Sequence, residues 1–137
     1  MTPMYGSMNS AAQAYASAGV QTDVATADPL DLVIMLYDGA ILALATARMA
    51  IDNDNIALRG QKISHAIDII SNGLHASLDY QSGGELSDRL GALYNYMVSR
   101  LIYANLHASA PAIDEVVGLL KELKSGWDAI RDQARSR

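Results

Sequence analysis

The sequence predicts an all-α protein, an antiparallel up-down four-helix bundle preceded by a mobile N-terminal arm. Apolar residues recur at three- and four-residue steps in four segments, and cap or turn residues separate these segments. No segment alternates apolar and polar residues as a half-buried strand does. The chain has 137 residues, half of them hydrophobic, which fits one domain with its own core. We expect residues 1–26 to form the arm and residues 27–137 the bundle.

The arm is rich in Ser, Ala, Gly and Thr and has few large apolar side chains. Ordering such a segment costs more conformational entropy than its burial returns, so it is expected to be mobile. The first helix begins at Asp28-Pro29, because Asp caps free N–H groups and Pro suits the first helical position. It ends at the polar run 52–55. Its predicted inward face is Val33, Tyr37, Ala40, Leu44, Ala47 and Ile51.

The second helix is predicted from Ile56 to Asp79, and the third from Glu85 to His107, with a glycine-containing turn between them. The inward face of the second is Ile63, Ile67, Ile70, Leu74 and Leu78. The inward face of the third is Leu86, Leu90, Leu93, Met97, Leu101 and Ala104. The fourth helix begins at Ser109-Ala110-Pro111, and its inward face is Ile113, Val116, Leu120, Leu123, Trp127 and Ile130.

Some apolar side chains remain outside these inward faces when each residue is turned by 100° along its helix. On the first helix, Met35, Leu42 and Met49 recur every seven residues and form a stripe. On the third helix, Tyr94, Val98 and Ile102 follow one flank, and Tyr96 and Tyr103 follow the other. Ile69 is predicted to face outward on the second helix. Such residues either widen the helix–helix contacts or form a surface for a partner, which methionine and tyrosine both suit.

Composition and motifs argue against several functions. The net charge of −5 lies wholly in residues 1–58, and no basic face is available for nucleic acid. The chain has no cysteine, no phosphate-binding glycine loop and no nucleophile elbow. The acidic turn 52–54 lacks the glycine and glutamate of a calcium loop, and the glutamates lack the histidines of a di-metal bundle. We therefore expect no cofactor, no metal and no enzyme activity.

The N-terminus has neither a basic region nor a long apolar region like those of a signal peptide, and no run of apolar residues spans a bilayer. A soluble cytoplasmic protein is expected. Two other functions stay open at this point. One is histidine phosphotransfer through His75, although no cation follows that residue to steady a phosphoryl group. The other is a structural bundle that self-associates through its apolar stripes.

Several short motifs resemble the FliS family of flagellar secretion chaperones. The first is Ala27-Asp28-Pro29, followed by Leu32 and by 35–40, which reads Met-Leu-Tyr-Asp-Gly-Ala. Further motifs follow in the family's order, at 78–79, 83–86, 93–97, 104–106, 115–116, 119–120 and Trp127. Asp28 stands where the family usually has Ser or Thr, and Asp caps a helix equally well. The resemblance covers roughly Tyr15 to Ile130.

This resemblance implies a four-helix chaperone that binds the disordered C-terminal segment of flagellin, prevents premature polymerisation and keeps the subunit competent for type III export. It also implies an export-gate component as a further partner, no membrane insertion, a free monomer and a one-to-one complex with flagellin. Tyr15 would act as a displaceable plug of the client site. Combined with the outward residues above, the expected client contacts are Tyr15, Met35, Leu42, Ile69, Tyr94, Tyr96, Val98, Ile102 and Tyr103.

Overall fold

The computed structural model describes residues 28–78 and 83–136, and within these ranges it is built from helices alone. Helix α1 spans Pro29–Asp52, and helix α2 spans Ile56–Asp68 and continues as a π-helical segment, Ile69–His75. Helix α3 spans Gly84–His107, and helix α4 spans Ala110–Arg135. The four predicted helices and the all-α fold class are confirmed. Residues 1–27, 79–82 and 137 lie outside the described ranges.

The helix ends follow the capping residues that the sequence indicates. The Asp28 carboxylate accepts a hydrogen bond from the Asp31 N–H at 2.9 Å, and Pro29 occupies the first turn of α1. The Ser109 hydroxyl accepts from the Ala112 N–H at 3.3 Å and begins α4. Helix α3 starts differently, at Gly84, whose φ of +54° is a left-handed conformation that glycine adopts without strain.

Polar contacts between helices show that neighbours run antiparallel. Arg48, near the end of α1, lies 3.3 Å from Asp114 at the start of α4. At the opposite end of the same pair, Arg135 lies 2.9 Å from Asp31. Arg59 near the start of α2 donates to Asn105 near the end of α3, at 3.3 Å. Neighbours α1–α2, α2–α3, α3–α4 and α4–α1 therefore close into an up-down-up-down bundle.

The core lies along the central axis and is largely the one predicted. Fully buried side chains come from every helix: Tyr37, Ala40, Leu44, Ala47, Ile63, Ile70, Met97, Leu101, Ile113, Val116 and Leu120. Two predicted core residues are wrong, since Leu86 is 60% exposed and Ile130 is 50% exposed. Both lie near the end of the bundle where α1 and α3 begin and α4 ends, which we call the open end. The opposite end, where α1 turns into α2, is the closed end.

The π-helical segment explains why the predicted outward position of Ile69 is wrong. Hydrogen bonds from residue i to i+5 advance each residue by a smaller angle than in an α-helix, so adjacent residues share more of one face. Ile69, Ile70, Gly73 and Leu74 are all buried as a result, and Ile69 has no exposed surface. With the 100° spacing of an α-helix, Ile69 and Ile70 lie on different faces. The prediction of an outward Ile69 uses that spacing.

Helix α1 is long and apolar enough, by length and composition, to cross a membrane. The expectation that no segment has this character is therefore corrected for residues 29–52. Half of the most apolar window of the helix is buried inside the bundle, however, and the core helix of a soluble protein meets the same test. Packing against α2 and α4 accounts for its composition.

Candidate functional site

The outer face of α1 carries an apolar stripe, which we call the α1 stripe and define as Met35, Leu42 and Met49. Leu42 is 61% exposed and Met49 is 59% exposed, as the seven-residue spacing predicts. Met35 is half-buried and packs against the core, so it contributes only part of its surface. Asp38 borders the stripe, and its carboxylate is paired with the Lys124 ammonium at 2.9 Å. The stripe is thus apolar along its centre, and the acidic charge at its border is neutralised.

A second exposed apolar surface lies on α3, and we call it the α3 patch: Tyr96, Ile102, Tyr103 and Leu106. Ile102 is 57% exposed, and the two tyrosines are each 44% exposed, as predicted. Leu106 is 75% exposed and was not among the predicted contacts. Its position four residues after Ile102, on the same side of the helix, was the signal that could have found it.

Polar neighbours hold the two tyrosine rings of the α3 patch. Glu115 of α4 accepts a hydrogen bond from the Tyr96 hydroxyl at 2.5 Å and another from Arg100 Nε at 2.8 Å. The Tyr96 hydrogen bond, followed by that of Arg100, holds the pKa of Glu115 below its usual value, so it stays ionised. The Arg100 guanidinium also lies 4.8 Å from the Tyr103 ring centroid. Rings fixed in this way lose little side-chain entropy when a partner covers them.

Tyr94 was predicted to face outward, and this is wrong, because its side chain is 2% exposed. Its hydroxyl lies 2.5 Å from the Tyr37 hydroxyl, which satisfies both polar groups inside the core. Trp127 Nε1 donates to the Tyr37 hydroxyl at 3.1 Å. Burial, reinforced by the Tyr37 hydroxyl, raises the pKa of Tyr94, and burial also raises the pKa of Tyr37. These groups are neutral links between α1, α3 and α4, and they form no part of an outer surface.

The three remaining residues predicted to contact the client differ in where they lie. Val98 is half-buried and packs against the core, so it lies beneath the outer face of α3. Ile69 is fully buried by the π-helical geometry described above. Tyr15 lies outside the described residues. The structure therefore brings Leu42, Met49, Tyr96, Ile102, Tyr103 and Leu106 to the surface and keeps Ile69 and Tyr94 in the core.

The two surfaces lie on opposite sides of the molecule. Helices α1 and α3 are diagonal in the bundle, because each contacts α2 and α4 and the Tyr37–Tyr94 hydrogen bond joins them across the core. Their outer faces consequently point in opposite directions. A single short helix lying in one groove cannot cover both. A partner that contacts both surfaces has to extend around α2 or α4.

Within the described ranges, no group of three or more His, Asp or Glu side chains is placed to hold a metal ion. His75 belongs to the π-helical segment, is half-buried, and has its ring 6.2 Å from that of Tyr94. Its packing against a core tyrosine accounts for its position without phosphotransfer chemistry. The arrangement as a whole defines a helical bundle with exposed apolar faces on two diagonal helices, which are surfaces of the kind that bind proteins.

Comparison with known proteins identifies the family to which this helical bundle belongs. The family described as "Flagellar protein FliS" matches residues 11–134, and the chain belongs to this family. It is a flagellar secretion chaperone and not an enzyme. The resemblance seen in the sequence motifs is confirmed.

Individual relatives show the same relationship over most of their length. The chain is 43% identical over 122 residues to the flagellar secretion chaperone FliS of Salmonella typhimurium, covering 89% of this chain and 90% of that protein. It is 44% identical over 115 residues to FliS of Escherichia coli, covering 84% and 85%. FliS of Bacillus subtilis is 33% identical over 118 residues, covering 85% and 86%.

Proposed function

We propose that this chaperone binds the disordered C-terminal segment of flagellin in the cytoplasm, keeps it from polymerising and delivers it to the type III export gate. The observation that carries the proposal is the pair of apolar surfaces on opposite sides of the bundle. An unfolded, amphipathic segment can follow such a path, whereas a folded partner meets only one side at a time. The free protein is a monomer in this proposal, and the complex has one chaperone and one flagellin.

Energetic considerations support an extended client. Ordering a disordered segment on binding costs about 2–5 kcal/mol or more, so the interface has to be large. Contact with both the α1 stripe and the α3 patch requires a path around half of the bundle. Interfaces of this wrapped kind bury more than about 2,000 Å² in total, which offsets the ordering cost. Methionine in the α1 stripe and fixed tyrosines in the α3 patch are side chains that tolerate an imperfectly matched partner.

The binding surface in this proposal is narrower than the one the sequence predicts. It consists of the exposed residues Leu42, Met49, Tyr96, Ile102, Tyr103 and Leu106, with Met35 and Val98 contributing the parts of their side chains that reach the surface. Ile69 and Tyr94 are excluded because the core encloses them. Tyr15, as a plug that competes with the client, remains a prediction.

The test places a negative charge in the middle of each surface. We expect Leu42→Asp and Ile102→Asp each to weaken binding of a peptide with the flagellin C-terminal sequence by at least about tenfold, and the double variant by more. Both residues are more than half exposed, so the variants should fold. Calorimetry measures the affinity, and circular dichroism checks the helical content. Gln61→Asp, on the exposed side of α2, is the matched control.

The outcomes separate the alternatives. If both single variants bind as tightly as the unchanged chain, neither surface contacts the client and the proposal fails. If only one variant loses affinity, the client uses one side and does not wrap around the bundle. Light scattering during size-exclusion chromatography gives the mass of the free protein. A free dimer that the same substitutions dissociate would favour self-association as the role of these surfaces.

A further inference from the structure

A cavity of about 160 Å³ opens at the open end of the bundle, apart from both the α1 stripe and the α3 patch. All four helices contribute to it. Its walls are mainly apolar, and its polar side chains include two serines. The lining residues are Val33, Leu74, Ser77, Leu78, Leu86, Ser87, Leu90, Tyr94 and Trp127.

The cavity lies where the described helices leave the core incomplete. Leu86 of α3 and Ile130 of α4 have the spacing of inward-facing residues, yet they are 60% and 50% exposed. Val33, Leu78 and Trp127 share that spacing and are only half-buried. Side chains spaced to face a core lose water only when other apolar atoms cover them. An apolar group placed in the cavity would complete the contacts that the bundle leaves open.

Polar groups beside the cavity are already satisfied. Trp127 donates its N–H to the Tyr37 hydroxyl, and the Tyr37 and Tyr94 hydroxyls are hydrogen-bonded to each other. The Ser77 hydroxyl donates to the Gly73 carbonyl at 2.6 Å. The charged groups at this end also pair among themselves, since Asp31 binds Arg135 at 2.9 Å. The cavity therefore offers van der Waals contact and little hydrogen bonding, which selects an apolar group.

The volume sets the size of that group. An engineered apolar cavity of about 150 Å³ in another protein stays dry and binds benzene. A cavity of about 160 Å³ consequently takes one phenyl ring or one branched aliphatic side chain, and has no room for two. A ligand of this size is a single side chain of a peptide, not an extended stretch of chain.

We propose that this cavity is an anchor site that receives one leucine- or phenylalanine-sized side chain of the client. The inference rests on the proposed function, and it adds a third contact point at the end of the bundle. The peptide on either side of the anchored residue would continue over the exposed Leu86, which lines the cavity, or over Ile130, which follows the cavity residue Trp127 by about one helical turn. Anchoring one side chain fixes the register of a client that otherwise slides along the apolar surfaces of α1 and α3.

Trp127, the only tryptophan in the chain, reports on occupancy of the cavity. The full-length protein is titrated with the flagellin C-terminal peptide while tryptophan emission is recorded, with a peptide that itself lacks tryptophan. We expect a blue shift as the peptide displaces water from the indole. Val33→Phe, which fills the cavity, should lower the affinity by about ten- to a hundredfold and abolish the shift. Val117→Phe, a half-buried valine of α4 away from the cavity, is the matched control.

Leu86→Ala is a second variant for the case in which Val33→Phe does not fold. Because Leu86 is 60% exposed, its truncation leaves the fold intact while removing one wall of the cavity. It should lower the affinity by about three- to tenfold, a smaller effect than filling the cavity.

Three results would overturn the anchor site. Unchanged Trp127 emission on peptide binding, with wild-type affinity in both variants, shows that the client binds elsewhere and leaves the proposed function standing. Absence of any peptide binding to the unchanged protein overturns the proposed function itself. A change in Trp127 emission of the free protein on Tyr15→Ala, with no further change when the peptide binds, shows that the chain's own N-terminal segment is the occupant, and not a client side chain.

Discussion

The two ends of this bundle are built from different side chains and reach different degrees of closure. At the closed end, small residues lie between the helices: Ala47, Ala104 and Ala112 are fully buried beside Leu101 and Ile113. At the open end, Leu86 and Ile130 have the spacing of inward-facing residues and yet remain half or more exposed. Alanine lets neighbouring helix backbones approach closely, whereas large side chains that the described helices do not cover border a cavity. The same helical repeat therefore gives fully buried inward positions at one end and a cavity with exposed inward positions at the other.

Truncation of one leucine at each end tests this comparison most directly. Leu101→Ala at the closed end should lower the free energy of unfolding by about 2–5 kcal/mol, because the fully buried side chain leaves a cavity that its neighbours cannot fill. Leu86→Ala at the open end should cost less than about 1 kcal/mol, since most of that side chain is already in water. Urea unfolding followed by circular dichroism measures both. Equal losses in the two variants would show that the open end is packed as tightly as the closed end.

The buried tyrosine pair beside the cavity makes stability depend on alkaline pH. Burial raises the pKa of Tyr37 and of Tyr94 above the ordinary value of 10.0. Above about pH 10 the unfolded chain therefore loses phenolic protons that the folded chain retains, and stability falls as the pH rises. The fall should not exceed about 1.4 kcal/mol per pH unit for each buried tyrosine, which is the limit for one titrating group. Urea unfolding at neutral and alkaline pH measures the slope.

Replacing the pair tests the cause of that slope. The double variant Tyr37→Phe/Tyr94→Phe should lose most of the excess alkaline slope, while its stability at neutral pH falls by about 1 kcal/mol for the lost hydrogen bonds. Tyr103→Phe, whose ring is 44% exposed, is the control and should keep the slope. A double variant with an unchanged slope would assign the alkaline sensitivity to other groups.

A smaller effect is expected from the cap of α4 at the closed end. Ser109→Ala removes the hydroxyl that accepts from the Ala112 N–H, and should cost about 1 kcal/mol of stability. Ser125→Ala, at an exposed position inside the same helix, should be neutral or slightly stabilising because alanine has the higher helix propensity. Thermal unfolding of the two variants gives the comparison. If both variants unfold like the unchanged chain, the contact contributes nothing to the closed end.

Much of the fold could be predicted because its determinants are local. Asp28 and Pro29 define the start of α1, Ser109 defines the start of α4, and the apolar spacing identifies most of the core. The exposed residues Leu42, Ile102, Tyr96 and Tyr103 were also predicted from spacing alone. Leu42 and Ile102 lie outside the inward faces, and they are 61% and 57% exposed.

The wrong predictions of burial concern residues whose surroundings are set by the tertiary structure and not by the spacing within one helix. Tyr94 is on the edge of the inward face, and only the Tyr37 hydroxyl across the core makes its burial favourable. Ile69 is buried because the backbone of α2 changes to a π-helix, which brings Ile69 and Ile70 to one side. Leu86 and Ile130 have core spacing, but the neighbouring described helices leave them half or more exposed at the open end. None of these outcomes can be read from the spacing within a single helix.

The sequence by itself determined the number of helices, the starts of α1 and α4, the all-α class and the family, since caps, turns and apolar periodicity act over a few residues. The tertiary structure alone decided which edge residues are buried, which helix faces lie on opposite sides of the bundle, and where the core stays open. These properties depend on atoms far apart in the chain, because burial is a relation between two surfaces and a sequence pattern describes only one of them.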